Sequence, residues 1–349
     1  MRYRVLGGTG IEVSVHCLGT MMFGAIGNTD HDDCVRIIDA ALDAGINFVD
    51  TADMYSAGES EEIVGKALQN KRDDVVLATK VHFPVGDGPN KGGNSRRWTV
   101  YEVEQSLRRL RTDWIDLYQI HRPDYTTDIE ETLSALTDLV RAGKIRAFGC
   151  SAFPPADVVE AYHVAQRRGL HRFRTEQPPY SLLARGIETS VLPTTARLGM
   201  GVLTWSPLAA GFLSGKIRRG QEIDMTEGRA ALQPQRFDPA LPVTQRKLDA
   251  VEQLVEVADS IGATLPEMAV AFAAAHPAVT SVITGPRTMD HLTATLKGAS
   301  LVLDDATLDR IDEIVPPGTD LYRADGAWSP PWITDASLRR RPADDRPAA

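Results

Sequence analysis

Four titratable side chains stand at or just beyond the ends of short apolar runs. Asp50 ends 46-INFVD-50, and Tyr55 follows it by five positions in 46-INFVDTADMYSAGESEEIVGKAL-68. Lys80 ends 75-VVLATK-80, with His82 just beyond, and His121 closes 115-IDLYQIH-121. Singly, each has an ordinary reading. A strand-end Asp can cap the next helix, a loop Tyr is most often structural, and Lys80 and His121 can be a solvated lysine and a satisfied histidine. Together they form a chemical set. The phenol is its proton donor at neutral pH, although an unperturbed pKa of ~10 is too high for efficient donation and return. An ammonium within ~4–6 Å favours the phenolate and lowers that pKa. Asp50 would hold Lys80 protonated through a charge-assisted bond. His121 would donate toward a carbonyl oxygen or relay its proton. The set suits reversible carbonyl reduction by an external hydride.

The elements that must position these groups alternate along the chain. Apolar runs ending at Gly19, Asp50, Lys80, His121, Ser151, Gln177, Ser206 and Gly285 are separated by amphipathic stretches. One helix is capped by Thr29 or Asp30 and closed by Gly45; another carries Val100, Val103, Leu107 and Leu110 on one face. Pro193 predicts a late start or a kink in the helix that follows Gly186. Non-alternating apolar strands between helices imply a parallel sheet covered by helices. Eight such units predict closure into an α/β (β/α)8 TIM barrel, whose sites lie at the C-terminal ends of the strands. An open dinucleotide-binding sheet would need GxGxxG after its first strand, and GGTG at 7–10 is too short and too early. Residues 1–13 read instead as an N-terminal β-hairpin plugging the barrel bottom. Residues 207–243 form an extended loop after strand 7, long enough for a lid or binding loop. A single domain is expected over 1–335, with a disordered tail over 336–349.

A net charge of −9 disfavours nucleic acid or an anionic membrane as partner. The N-terminus lacks the apolar core of a signal peptide, and no run reaches the ~18 residues of a membrane span. Cys17, Cys34 and Cys150 are odd in number and lack CxxC spacing. They read as reduced, buried small hydrophobes in a cytoplasmic protein with no metal site.

The ordered stretches 18-LGTMMFG-24, 46–68 as quoted, 76-VLATK-80, 113-DWIDLYQIH-121, 143-GKIRAFGCS-151, 204-TWSPLAAGFLSGK-216 and 282-VITGPR-287 resemble the aldo-keto reductase superfamily over roughly residues 1–315. The TWSPLA form and the SAGESEE helix look like the bacterial branch that includes channel β-subunits and sugar-modifying reductases. The resemblance implies an NADPH-dependent carbonyl reductase with a catalytic tetrad of Asp50, Tyr55, Lys80 and His121. Tyr55 would be the general acid, Lys80 its modulator, Asp50 the partner of Lys80 and His121 the orienter of the carbonyl. It implies a nicotinamide stacked on Trp205, its carboxamide held by Ser151 and Gln177, its ribose flanked by Gly19, Thr20, Met21 and Asp50. The pyrophosphate would lie along Ser206, Pro207, Leu208, Gly211 and Leu213, with Gly215 and Lys216 nearby. Gly285, Arg287 and His291 would meet the adenosine end, where an arginine favours NADPH over NADH.

The chain departs from the family pattern at Ala152, where Asn is common, and at His291 and Thr295, where Gln and Asn are frequent. The substrate that the resemblance implies is a small-molecule carbonyl. Candidate walls of its pocket are Met22, Phe23, Met54 and His82 beside Tyr55 and His121, with Phe83, Tyr180, Trp328 and Trp332 as further aromatics. The loop 84-PVGDGPNKGGNSRR-97 reads equally as a substrate lid or a solvated connection. Two other readings stand beside the reductase: an NADP-binding redox-sensing regulatory subunit with slow turnover, and a barrel aldolase using Lys80 as a Schiff base. The aldolase needs a neutral lysine, against which Asp50 argues.

Overall fold

The computed structural model of the chain describes residues 1–226, 228–326, 329, 333 and 335. Two short strands, β1 (Tyr3–Val5) and β2 (Glu12–Ser14), pair antiparallel. Eight parallel strands follow: β3 (His16–Gly19), β4 (Phe48–Asp50), β5 (Val76–Val81), β6 (Ile115–Ile120), β7 (Ile145–Cys150), β8 (Thr175–Glu176), β9 (Gly201–Thr204) and β10 (Ser281–Thr284). β10 pairs with both β3 and β9, so the sheet closes into the expected eight-stranded barrel.

Between strands run α1 (His31–Asp43), α2 (Glu59–Leu68), α3 (Arg96–Leu110), α4 (Ile129–Arg141), α5 (Pro155–Arg168) and α6 (Val191–Arg197). Local chemistry sets their ends. The Asp30 carboxylate caps α1 by accepting the N–H groups of Asp32 and Asp33, and Asp128 caps α4. The segment before α6 is a separate short 3-10 turn, Gly186–Thr189, so that helix does start late. Beyond β9 come α7 (Gly228–Leu232), α8 (Pro242–Ser260) and α9 (Leu265–Ala275), and beyond β10 come α10 (Met289–Gly298) and α11 (Asp305–Ile314). α8 begins with Pro242 at its first position, a residue that suits a helix start.

The hydrophobic residues divide into two layers. The helices pack on the barrel through buried side chains such as Ile37, Ile63, Val103, Leu133 and Val158 on one side and Val251, Leu254 and Met268 on the other. Inside the barrel lies a smaller set: Cys17, Phe48, Ala78, Leu117, Ala147, Leu203 and Ile283, one from each of seven strands. Leu6 and Val13 of the hairpin are completely buried against this set and plug the bottom. The hairpin turn needs Gly7: its φ is +51°, and a Cβ there would lie 1.9 Å from the Arg174 carbonyl oxygen. All three cysteines are buried, and no single helix among the described residues is long and apolar enough to cross a membrane. Trp328, Trp332 and the tail 336–349 lie outside the described residues.

Candidate active site

Side chains on a strand alternate faces, so two residues past each interior plug the same strand again points inward. Those positions hold Gly19, Asp50, Lys80, Gln119, Gly149, Trp205 and Gly285. Register agrees: Gly19 lies opposite Asp50, and Lys80 opposite Gln119. The chain thus switches from apolar to polar or glycine at one level of the barrel, its C-terminal mouth.

At that level Lys80 is wholly buried. Its Nζ donates to Asp50 Oδ1 at 2.5 Å, to the Thr51 carbonyl at 2.8 Å and to the Tyr55 hydroxyl at 3.2 Å. Burial works against the ammonium, but Asp50 and then Tyr55 outweigh it and hold its pKa above the ordinary lysine value. His121 stands edge-on to Tyr55, with ring centroids 5.9 Å apart. Burial, reinforced by the charges of Lys80, Arg122 and His82, drives its pKa well below 6.5, so the imidazole is neutral. A neutral imidazole donates from one nitrogen without adding charge.

Tyr55 owes its place to the turn behind it. Tyr55–Gly58 is a short 3-10 segment in which Ser56 and Ala57 have positive φ. The turn is pinned because Ser56 Oγ donates to the Phe23 carbonyl at 2.9 Å and accepts the Ile26 N–H at 3.1 Å. Ser60, the second residue of α2, meets Thr20 and Thr51 through its hydroxyl.

A second network links the tetrad to the neighbouring strand ends. Gln177 Nε2 donates to Asp50 Oδ2 at 2.9 Å, and Gln119 Nε2 donates to the same oxygen at 3.2 Å. Ser151 Oγ donates to the Gln177 carbonyl at 2.8 Å, and the Trp205 indole N–H reaches that carbonyl at 3.1 Å. Trp205, Ser151 and Gln177 therefore stand as one bonded group beside Asp50. Beyond Trp205 the backbone turns sharply: Ser206, Ala209, Ala210 and Gly211 all have positive φ. Such turns make concave backbone surfaces suited to anions. Leu213 is buried, so only its backbone can face that surface. At the next strand end Arg287 and Lys216 lie near enough to His291 to lower its pKa, after burial, through their charge. Three basic side chains thus share one edge of the mouth.

Two sequence expectations are corrected. Phe23 is fully buried in the layer beneath α1 and α2, where its role is the carbonyl that anchors Ser56, not a pocket wall. Tyr180 is also core: it packs on Phe272 and its hydroxyl donates to Glu188 Oε1 at 2.6 Å. Met21, Met22, Met54, His82 and Phe83 are half-exposed around the mouth. In the 84–97 loop the last part is tethered, since buried Asn94 binds His82 Nδ1 at 2.9 Å and donates to the Arg122 carbonyl at 3.0 Å.

Sequence reading missed Gln119, Arg122 and Arg229. Gln119 had a signal, as the inward residue two before His121. Arg122 adjoins His121 but lacks a periodic cue. Arg229 had none: it comes from α7 in the long loop, and its Nη2 lies 3.2 Å from Met21 Sδ.

Comparison with known proteins shows the family of the chain. Residues 17–316 match the model of the aldo/keto reductase family. The uncharacterized oxidoreductase YrpG of Bacillus subtilis is 40% identical over 337 residues, covering 93% of this chain and 99% of that protein. A probable voltage-gated potassium channel subunit beta of Arabidopsis thaliana is 35% identical over 336 residues, covering 93% of this chain and all of the relative. The aldo-keto reductase YhdN of B. subtilis is 37% identical over 301 residues, covering 84% of this chain and 87% of the relative.

Proposed function

The chain belongs to the aldo/keto reductase family of oxidoreductases, and on that premise we propose that it is an NADPH-dependent reductase of aldehydes or ketones with Tyr55 as its acid. The observation that carries the reading is the Lys80 ammonium, which touches both Asp50 and the Tyr55 hydroxyl. NADPH, when bound, supplies the hydride. The residues do the rest. Tyr55 gives its proton to the carbonyl oxygen, and Lys80 stabilises the phenolate left behind. Asp50 keeps Lys80 charged and aimed. His121, held neutral, donates a hydrogen bond to the same oxygen and fixes which face of the carbonyl is presented.

The residues fit a nicotinamide dinucleotide. Trp205 has its ring fixed by the bond to Gln177 while standing at the mouth, and Gln177 and Ser151 offer amide and hydroxyl groups next to it. Thr20 and Gly19 lie beside Asp50. The positive-φ turn over Ser206–Gly211 and the trio Lys216, Arg287 and His291 suit the pyrophosphate and the 2′-phosphate of the NADP form. Arg229 sets a further cation against Met21, the residue that follows Thr20. A cytoplasmic location accords with three unpaired buried cysteines.

The test is NADPH consumption over a panel of aldehydes and ketones, run beside NADH. Tyr55→Phe should lower turnover by at least about 100-fold while NADPH affinity stays nearly unchanged. Loss of both together would remove Tyr55 from the acid role. The channel-subunit relatives support a second reading, a redox-sensing subunit. It predicts tightly retained NADP and negligible steady turnover, where the reductase predicts sustained turnover.

A further inference from the structure

We propose that Arg122 is the recognition residue for an anionic group, a carboxylate or a phosphate, carried by the carbonyl substrate. The inference deepens the reductase reading and rests on it. Arg122 follows His121 directly, so its guanidinium is placed by the same strand end that places the carbonyl orienter. Its Nη1 donates to the His121 carbonyl at 2.6 Å and approaches Ser151 Oγ at 3.4 Å. Its guanidinium carbon is 5.7 Å from the centre of the Phe83 ring and 5.9 Å from that of Trp205. Asn94 holds its backbone from the other side.

What marks this residue is its missing acidic partner. Three sequestered arginines are paired, Arg72 with Asp116, Arg109 with Glu61 and Glu102, and Arg185 with Glu188 and Asp312, while Arg4 turns to the carbonyls of Ala274 and Val279 and Arg229 to Met21 Sδ. Arg122 makes no ion pair among the described residues, and one of its three nitrogens carries all its hydrogen bonds. A guanidinium has five donors in a planar fork matched to carboxylate and phosphate. A half-buried charge without a counterion is costly, and burial indeed lowers the pKa of Arg122. The carboxyl group whose charge reaches it, Glu176, is turned instead to Cys150 Sγ and the Phe153 N–H.

The cofactor is a poor claimant for this charge. Its phosphates are assigned to the β9 and β10 ends, where Lys216 and Arg287 lie, whereas Arg122 sits at the end of β6 beside His121. An anion bound by Arg122 would therefore belong to the molecule whose carbonyl faces Tyr55 and His121.

The experiment compares matched carbonyl pairs in the full chain with NADPH: succinic semialdehyde against butanal for carboxylate, glycolaldehyde phosphate against glycolaldehyde for phosphate. Wild type should favour the anionic member of at least one pair by about 10–100-fold in kcat/KM, the range of a charge-assisted contact. The pair with the larger ratio identifies the anion. Arg122→Met should collapse that ratio through KM, and Arg122→Lys should restore part of it. Equal loss for both members, or no anionic preference in wild type, would overturn the proposal. Binding decides independently of turnover. By calorimetry, wild type loaded with NADP+ should bind benzoate at least about tenfold tighter than benzamide, and Arg122→Met should not. If no aldehyde is reduced yet benzoate shows this pattern, the reductase reading fails and the anion site stands. Equal binding of benzoate and benzamide by wild type sinks the anion site.

Discussion

A fully buried ammonium is tolerated at position 80 because three oxygens meet its three N–H groups, one of them a carboxylate at 2.5 Å. Strain accompanies function nearby. Ala152, next to Ser151 at the end of β7, has φ +60°, a conformation that costs an L-residue roughly 1–2 kcal/mol. Asparagine adopts it more readily and carries an amide that can bond a carboxamide. Ala152→Asn should therefore raise stability by up to about 1 kcal/mol and tighten NADPH binding. Fluorescence titration of NADPH checks it, and weaker binding in the variant would refute the assignment of this turn to the cofactor.

Between elements, charge buried behind the site ties the layers together. Arg109 of α3 donates to Glu61 of α2 at 2.6 Å and to Glu102 at 2.5 Å. It also backs the turn that carries Tyr55, since a Cβ at Gly58 would lie 2.8 Å from Arg109 Cδ. Arg109→Met would strand two buried carboxylates, and a loss of about 3–5 kcal/mol is expected in denaturant unfolding; a loss near zero would show that the pair is neutral in net effect. On the opposite flank Glu176 of β8 is fully buried, and burial raises its pKa from 4.5 to about 7. In the unfolded chain it ionises first, so stability falls as pH rises from 4.5 through 7, by about 3 kcal/mol in all. Glu176→Gln should gain on wild type between pH 5 and pH 8. A constant difference across that range would mean that Glu176 does not titrate as placed.

For the whole molecule, the long loop after β9 is knitted to the C-terminal segment. Phe212 stacks on Phe237 at 5.0 Å, and Lys247 of α8 lies over both Phe212 and Tyr322 while binding Asp325. Because this loop borders the cofactor turn, ligand binding should be felt globally. NADP+ at 100 times its Kd should add about 2.7 kcal/mol to unfolding free energy and raise Tm, more than NAD+ at equal concentration. Equal shifts would remove the selectivity assigned to Arg287, Lys216 and His291.

Much of this was legible from the amino acids alone. The barrel followed from repeated apolar strands and amphipathic helices, and these are local patterns that secondary structure reads directly. Asp50, Lys80 and His121 were legible because each stands where an apolar run stops, and a strand that stops at a barrel mouth must present its last inward side chain there. Other features needed closure of the barrel. Gln177 reaches Asp50 across 127 positions of chain, a meeting that no local pattern encodes. Arg229 comes over Met21 from the long loop after β9, and Phe23 and Tyr180 turn into the core. Chain order and periodicity determine which residues reach the rim of the barrel; only the packed tertiary structure decides which of them touch, which are paired, and which, like Arg122, are left with charge to offer.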